Sequence, residues 1–255
     1  MPVLTERLES LRKPPKILVW DLETSPAIVY SWGLFNQNHA VNQIVEPSRV
    51  LCLAAKWVGK RRTEFYSEHH HGRAEMIAQA WRLLDEADIV VSYNGIGFDA
   101  KHMNREFLLA GLRPPSPYVD IDLLRVNRAN FKFLSNKLGY VTEAVGLPTK
   151  LETGGMDLWR QVLAGDEKSW KTFRDYNVRD VVVTERLYLL LAQRGWIKGV
   201  HAGLFSGNMT VCHSCGSPDL TPVGVIYTRS AAYPKAVCIC GTFNKVLANG
   251  QTRAV

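Results

Sequence analysis

No apolar run in this sequence approaches the roughly 20 residues a helix needs to cross a bilayer, so a helical membrane span is not expected. The first fifteen residues, Met1 to Pro15, carry charges and prolines but no apolar h-region. A secretory signal is therefore not expected in this stretch, which reads as a short arm. Cysteine is scarce and odd in number: five residues, four of them between Cys212 and Cys240, and Cys52 alone in an apolar run. The pattern does not suit a disulfide framework; it suits a reducing compartment such as the cytoplasm, and a metal site. Acids are the minority charge, 24 against 31 basic residues, for a net +7 that favours a polyanionic partner. Internal repeats and low-complexity tracts are absent.

The chain does have the makings of a globular core. With 255 residues and 46% hydrophobic composition it can hold one sizeable domain, or one medium domain and a small appendage. Ile17-Leu18-Val19-Trp20 reads as a buried strand that ends in Asp21-Leu22-Glu23. Apolar runs at Ile28–Phe35 and Val50–Val58, and a third at Thr63–Ser67 after the turn-like Gly59-Lys60-Arg61-Arg62, predict an antiparallel meander. Met76, Ile77, Ala80, Trp81 and Leu84 recur with a 3.6-residue period and predict a helix over Arg73–Asp85. A short strand at Asp88–Ser92, a helix over Asp99–Ala110 closed by Gly111 and Pro114-Pro115, and a strand at Tyr118–Ile121 follow. Helices are expected over Phe133–Val145 and from about Lys168 to Gln193. This order predicts an α/β domain with a mixed central sheet flanked by helices, over residues 16–195. From Trp196 onward helical periodicity vanishes and the cysteines appear, so residues 196–255 are expected to form a separate small module.

Three segments of the larger domain carry chemistry. Asp21 and Glu23, at i and i+2 on a strand, point to the same side, and two close carboxylates call for a cation. Tyr93-Asn94-Gly95-Ile96-Gly97-Phe98-Asp99 follows a strand directly, where α/β folds build sites, and Asp99 opens a helix. Tyr176 and Asp180, four apart in the long helix, share one face. In this order the motifs Asp21-x-Glu23, Asn94-x-x-x-Phe98-Asp99 and Tyr176-x-x-x-Asp180 resemble the DnaQ-like 3′→5′ exonucleases, the DEDD branch of the RNase H-like superfamily. The histidine subgroup carries His five residues before the last Asp, where this chain has Asp175. Tyr176 matches the tyrosine subgroup, as in the proofreading domains of family B polymerases and their stand-alone, often phage-encoded, relatives.

The resemblance implies a metal-dependent 3′→5′ exonuclease acting on single-stranded DNA or RNA ends, with DNA preferred. It implies two Mg²⁺ or Mn²⁺ ions held by Asp21, Glu23, Asp99 and Asp180, because hard cations take oxygen ligands and a pair of them can stabilise attacking and leaving oxygens. Asp21 would bridge the ions, and Tyr176 would orient the attacking water through its hydroxyl. A phenol is too weak an acid to serve as the main base at neutral pH. Asn94 could hold the terminal nucleotide or steady its loop; Phe98 and Leu22 could contact a base or belong to the core. Asp120 and Asp122 are expected to cap the next helix. His69-His70-His71 reads as an exposed loop. The rival reading is a nucleic-acid-binding protein of the same fold with little or no turnover.

Cys212-x-x-Cys215-Gly216 and Cys238-x-Cys240-Gly241 are two close pairs that resemble a zinc ribbon, and a set of four thiolates suits one structural Zn²⁺. The second pair is C-x-C rather than C-x-x-C, which leaves room for a substitute ligand, although His213 lies poorly for that role. About sixty residues with few large apolar groups gain from a metal in place of a core. The module could contact nucleic acid, through Tyr227, Arg229, Tyr233 and Lys235, or dock a protein partner.

Overall fold

The computed structural model describes residues 15–148, 155–197, 200–205 and 207–255. The described residues divide into two compact units, Lys16–Glu185 and Arg186–Val255; the division falls inside the longest helix.

The first unit is built on a five-stranded mixed sheet. Its strands are β1 (Ile17–Thr24), β4 (Val50–Trp57), β5 (Glu64–Ser67), β6 (Ile89–Ser92) and β7 (Val119–Asp122), in the order β5-β4-β1-β6-β7. β1 lies in the middle, antiparallel to β4 and parallel to β6, so its first four residues are buried on both faces. The helices are α1 (Glu68–His71), α2 (Arg73–Glu86), α3 (Asp99–Leu109), α4 (Leu123–Asn130), α5 (Leu138–Ala144), α6 (Met156–Leu163) and α7 (Glu167–Gln193).

Strand alternation sends Leu18, Trp20 and Leu22 to one face of the sheet. There they pack with Met76, Ile77, Ala80, Leu83 and Leu84 of α2 and Met103 and Phe107 of α3. Those α2 residues form one helical stripe, and each fully buried large side chain contributes roughly 1.5–3 kcal/mol. On the opposite face Leu51 and Cys52 pack with Leu158 and Val162 of α6 and Trp170 and Phe173 of α7. α7 therefore covers the face to which Asp21 and Glu23 point.

Several expectations need correction. Of the run Ile28–Phe35, only β2 (Ile28–Val29) is strand, paired with β3 (Ile44–Glu46) in a separate two-stranded ribbon. β1 already has β4 and β6 on its two edges, and Trp32, Leu34 and Phe35 stay 97%, 93% and 83% exposed. The helix expected from Phe133 starts only at Leu138; the helix expected after Asp122 is the short α4, and α6 is a short helix not anticipated. The three histidines form α1 rather than a loop, because the Ser67 side chain caps the His70 amide. The ring of His69 stacks on Trp170, and its Nε2 lies 2.8 Å from Glu167.

The second unit carries a four-stranded antiparallel sheet in the order β11-β10-β9-β8, from β8 (Leu220–Tyr227), β9 (Ala232–Cys238), β10 (Phe243–Val246) and β11 (Thr252–Ala254). Among the described residues no helix is long and apolar enough to cross a membrane.

Candidate active site

The site grows from the C-terminal half of β1. Asp21 and Glu23 leave the strand on the face opposite Leu22. On β4 their register partners are Ala54 and Cys52, small side chains that leave depth above the sheet for α7. α7 brings Asp180, buried, to that place. Oxygens of Asp21, Glu23 and Asp180 lie within 4.8 Å of one another. Three carboxylates this close repel, and the donor set is the all-oxygen kind that hard divalent cations take. Tyr176, also buried, sits one helical turn before Asp180.

A fourth participant is Asn177. It is fully buried, and its Nδ2 donates to Asp21 Oδ2 at 2.8 Å. Its Oδ1 accepts from the Cys52 thiol at 3.8 Å. Burial, reinforced by the charges of Glu23 and Asp21, pushes the Cys52 thiol well up, so the proton stays on sulfur and Cys52 acts as donor. The pairing fixes which way the amide points. Sequence reasoning passed over this residue. The signal was its place on the helical stripe Phe173–Asn177–Val181, four residues after one buried apolar side chain and four before another.

Asp99 reaches the site differently. The register of β1 with β6 ends at Val19 and Val91, so the Leu22 amide, which faces that edge, has no strand partner there. Asp99 Oδ1 accepts from it at 3.1 Å. Asp99 thus stands against the backbone between Asp21 and Glu23 but is not one of the three carboxylates gathered within 4.8 Å. Burial raises Asp99 to about 7; the Leu22 amide and its own amide pull it down, and Asp122 and Asp120 add to the rise.

The loop before Asp99 is tightly built. Asn94 takes a positive φ of 72°, and its amide donates to Asp122 Oδ1 at 2.8 Å. The same oxygen caps α4 through the Leu124 amide, as expected for Asp122. A Cβ at Gly95 would lie 2.2 Å from Ser92 Oγ, so only glycine fits. Phe98 is 38% exposed, its ring against His102 at 4.4 Å, and is not a core side chain. The Leu22 side chain belongs to the core on the far face of the sheet. Asp120, expected as a second cap, does not cap α4: it lies two residues before the cap position, with its Oδ1 buried and without a hydrogen-bond partner among the described residues. It is raised to about 6 by burial first and then by Asp122, with Arg125 opposing.

In the second unit the four cysteines converge. Ligand atoms of Cys212, Cys215, Cys238 and Cys240 lie within 4.8 Å of one another, with sulfurs 3.8 Å apart for Cys212–Cys240 and 3.5 Å for Cys215–Cys238. A tetrahedron of Zn–S bonds near 2.3 Å has edges of about 3.8 Å, so the thiols fit a zinc ion. The C-x-C pair delivers both its sulfurs to the group. Gly216 and Gly241, at φ 76° and 84°, make the turn after each pair, with amides bonded to the Cys212 and Cys238 carbonyls. His213 turns its Nδ1 to Asn244 Oδ1 at 2.8 Å.

A mixed sheet flanked by helices, with acids at the end of its central strand, defines an RNase H-like α/β protein. The RNase_H_2 family model, described as RNase_H superfamily, matches residues 45–192, more than half of the sequence. The chain belongs to the RNase_H superfamily. No curated protein matches it. Among solved structures, the family B DNA polymerase from the hyperthermophilic archaeon Pyrobaculum calidifontis is similar with a TM-score of 0.53 and 16% identity, over 88% of this chain and 32% of the polymerase. The likeness is one of fold, and this chain spans about a third of that polymerase.

Proposed function

We propose that this protein is a metal-dependent 3′→5′ exonuclease of the tyrosine subgroup, acting on single-stranded nucleic acid and on DNA in preference to RNA. The observation that carries the reading is the meeting of Asp21, Glu23 and Asp180, from a central strand and a distant helix, within 4.8 Å on an RNase H-like nuclease fold. Asp21, Glu23 and Asp180, with Asp99 beside them, are the residues that would hold Mg²⁺ or Mn²⁺. When bound, such ions neutralise the charge that builds up as water attacks a phosphodiester. The water oxygen bonds to phosphorus and the bond to the 3′ oxygen of the preceding nucleotide breaks. A nucleoside monophosphate leaves, and the strand keeps a 3′ hydroxyl.

The protein's own part is placement. Asn177 holds Asp21 in one orientation, and the Leu22 amide holds Asp99. The Tyr176 hydroxyl orients the attacking water. Phe98, exposed beside Asp99, and Asn94 contact the terminal nucleotide. In the second unit Cys212, Cys215, Cys238 and Cys240 hold one structural Zn²⁺.

The test is incubation of 5′-labelled single strands of DNA and RNA with magnesium, repeated with Asp21→Ala and Asp180→Ala. A ladder shortening from the 3′ end, absent in both variants, is the expected result. A single internal cut, or retention of the strand without cleavage, overturns the reading.

A further inference from the structure

The four-stranded sheet of the second unit has two unlike faces. Ala236, Cys238, Asn244 and Thr252 point to the buried one. On the other, Lys235 of β9 is the register partner of Lys245 on β10, and Lys245 is the partner of Arg253 on β11. Directly opposed residues in antiparallel strands project from the same face, so three cations form one row across three adjacent strands. With strands about 4.8 Å apart, the row spans roughly 10 Å. Like charges directly opposite one another destabilise a sheet. Among the described residues none of the three has a carboxylate partner, and Asp219 is the only acid from Trp196 to Val255.

Aromatic rings are interleaved with the row. Phe243 and Tyr233 lie two residues from Lys245 and Lys235 on their strands, hence on the same face. Lys235 Nζ sits over the Phe243 ring at 4.0 Å, and Lys245 Nζ over the Tyr233 ring at 4.8 Å. Phe243 is 45% exposed. A row of cations alone would suit any polyanion. Cations resting on partly open rings suit a polymer that offers both phosphates and unstacked bases. When a phosphate draws a lysine off its ring, the uncovered ring can take a base.

We propose that this open face is a binding platform for single-stranded nucleic acid, with phosphates on Lys235, Lys245 and Arg253 and bases on Phe243 and Tyr233. It rests on the proposed nuclease reading only for the class of polymer. Binding is measured without turnover, so the two fail separately.

The experiment is fluorescence anisotropy of a labelled single-stranded oligonucleotide with the full chain, zinc retained and magnesium omitted, over a series of salt concentrations. Removing all three charges (Lys235→Ala, Lys245→Ala, Arg253→Ala) is expected to lower the slope of log K against log salt by about 2, and affinity at 0.1 M salt on the order of a hundredfold. Phe243→Ala should weaken binding by at least about fivefold and leave the slope unchanged. A charge-keeping variant, Lys235→Arg with Lys245→Arg, should bind like the parent, which controls for misfolding along with zinc content. Duplex DNA and polyglutamate should compete poorly. Unchanged affinity and slope in a folded triple variant overturns the proposal, and so does competition by polyglutamate equal to that of the oligonucleotide, which would mark an acidic protein as the partner. Binding through this face without cleavage leaves the proposal standing and removes only the nuclease reading.

Discussion

The side-chain amide of Asn177 donates to Asp21 Oδ2 at 2.8 Å, while its oxygen accepts the thiol proton of Cys52 from the neighbouring strand. The helix that supplies Asp180 is thereby tied to the strand that supplies Asp21, one residue away from Tyr176. A partner that orients a metal-binding carboxylate is typically worth 10–100-fold in metal affinity or activity. Asn177→Leu, similar in volume and without the donor, is expected to lower hydrolysis by about that factor and to raise the magnesium concentration at half-activation. Magnesium titration of the rate checks this. A lowered rate with an unshifted titration would show that Asn177 acts elsewhere.

A second tie holds the same helix. Lys56 on β4 pairs with Glu185 on α7, and both side chains are nearly buried. Breaking a buried pair from one side leaves an uncompensated charge, at a cost of about 3–5 kcal/mol. Lys56→Met alone should lower the urea midpoint accordingly, and Lys56→Met with Glu185→Leu should recover most of the loss. A double variant as unstable as the single one would contradict this account.

Much of this site was legible in the sequence because it rests on local patterns. Alternation along β1 decides that Asp21 and Glu23 share a face, and helical period decides that Tyr176 and Asp180 do. Asn177 was marked only by its place on a buried stripe, and its partners, like Lys56–Glu185 and the Leu22–Asp99 contact, were not legible, since each depends on which strand or helix lies alongside. Leu22 shows the difference: its side chain reads as a possible wedge beside two acids, yet strand alternation plus the packing of α2 and α3 commits it to the core. The run Ile28–Phe35 has strand composition, but both edges of β1, the strand it follows, are taken by β4 and β6, and what strand forms pairs with β3 in a separate ribbon.

Asp99 carries a pH dependence. Its folded value, raised to about 7 mainly by burial, lies above the ordinary carboxylate value of 3.8. The protonated form is favoured by folding. The stability this contributes is full below about pH 4 and is lost as pH rises through about 7, at up to about 1.4 kcal/mol per pH unit. Asp120, raised to about 6, acts in the same direction. Without magnesium, Asp99→Asn should therefore gain stability relative to the parent between pH 5 and pH 8, with a residual decline due to Asp120. Urea midpoints at the two pH values test the sign. Magnesium at pH 8 should restore the parent but not the variant.

The cysteine cluster makes a prediction about protons. Burial opposes ionisation of Cys240, but the hydroxyl and amide of Thr242, with the thiols of Cys215 and Cys238 beside it, outweigh burial and bring the thiol down to about 7. Burial pushes Cys215, in contrast, up to about 12. Zinc binds thiolates, so each thiol still protonated must give up its proton when the ion enters. Between pH 6 and pH 8 Cys240 passes from mostly protonated to mostly ionised. The number of protons released on adding zinc to the metal-free chain should fall by about one across that interval. Calorimetry in buffers of different ionisation enthalpy counts them. Thr242→Val removes the hydroxyl and should move the fall to higher pH, while emission spectroscopy still finds about one zinc per chain. A release that does not change between pH 6 and pH 8 would mean that the Thr242 hydrogen bonds do not govern this sulfur. Cys238→Ser, which takes away one of the four thiolates, should lower the zinc found by emission spectroscopy to well below one per chain.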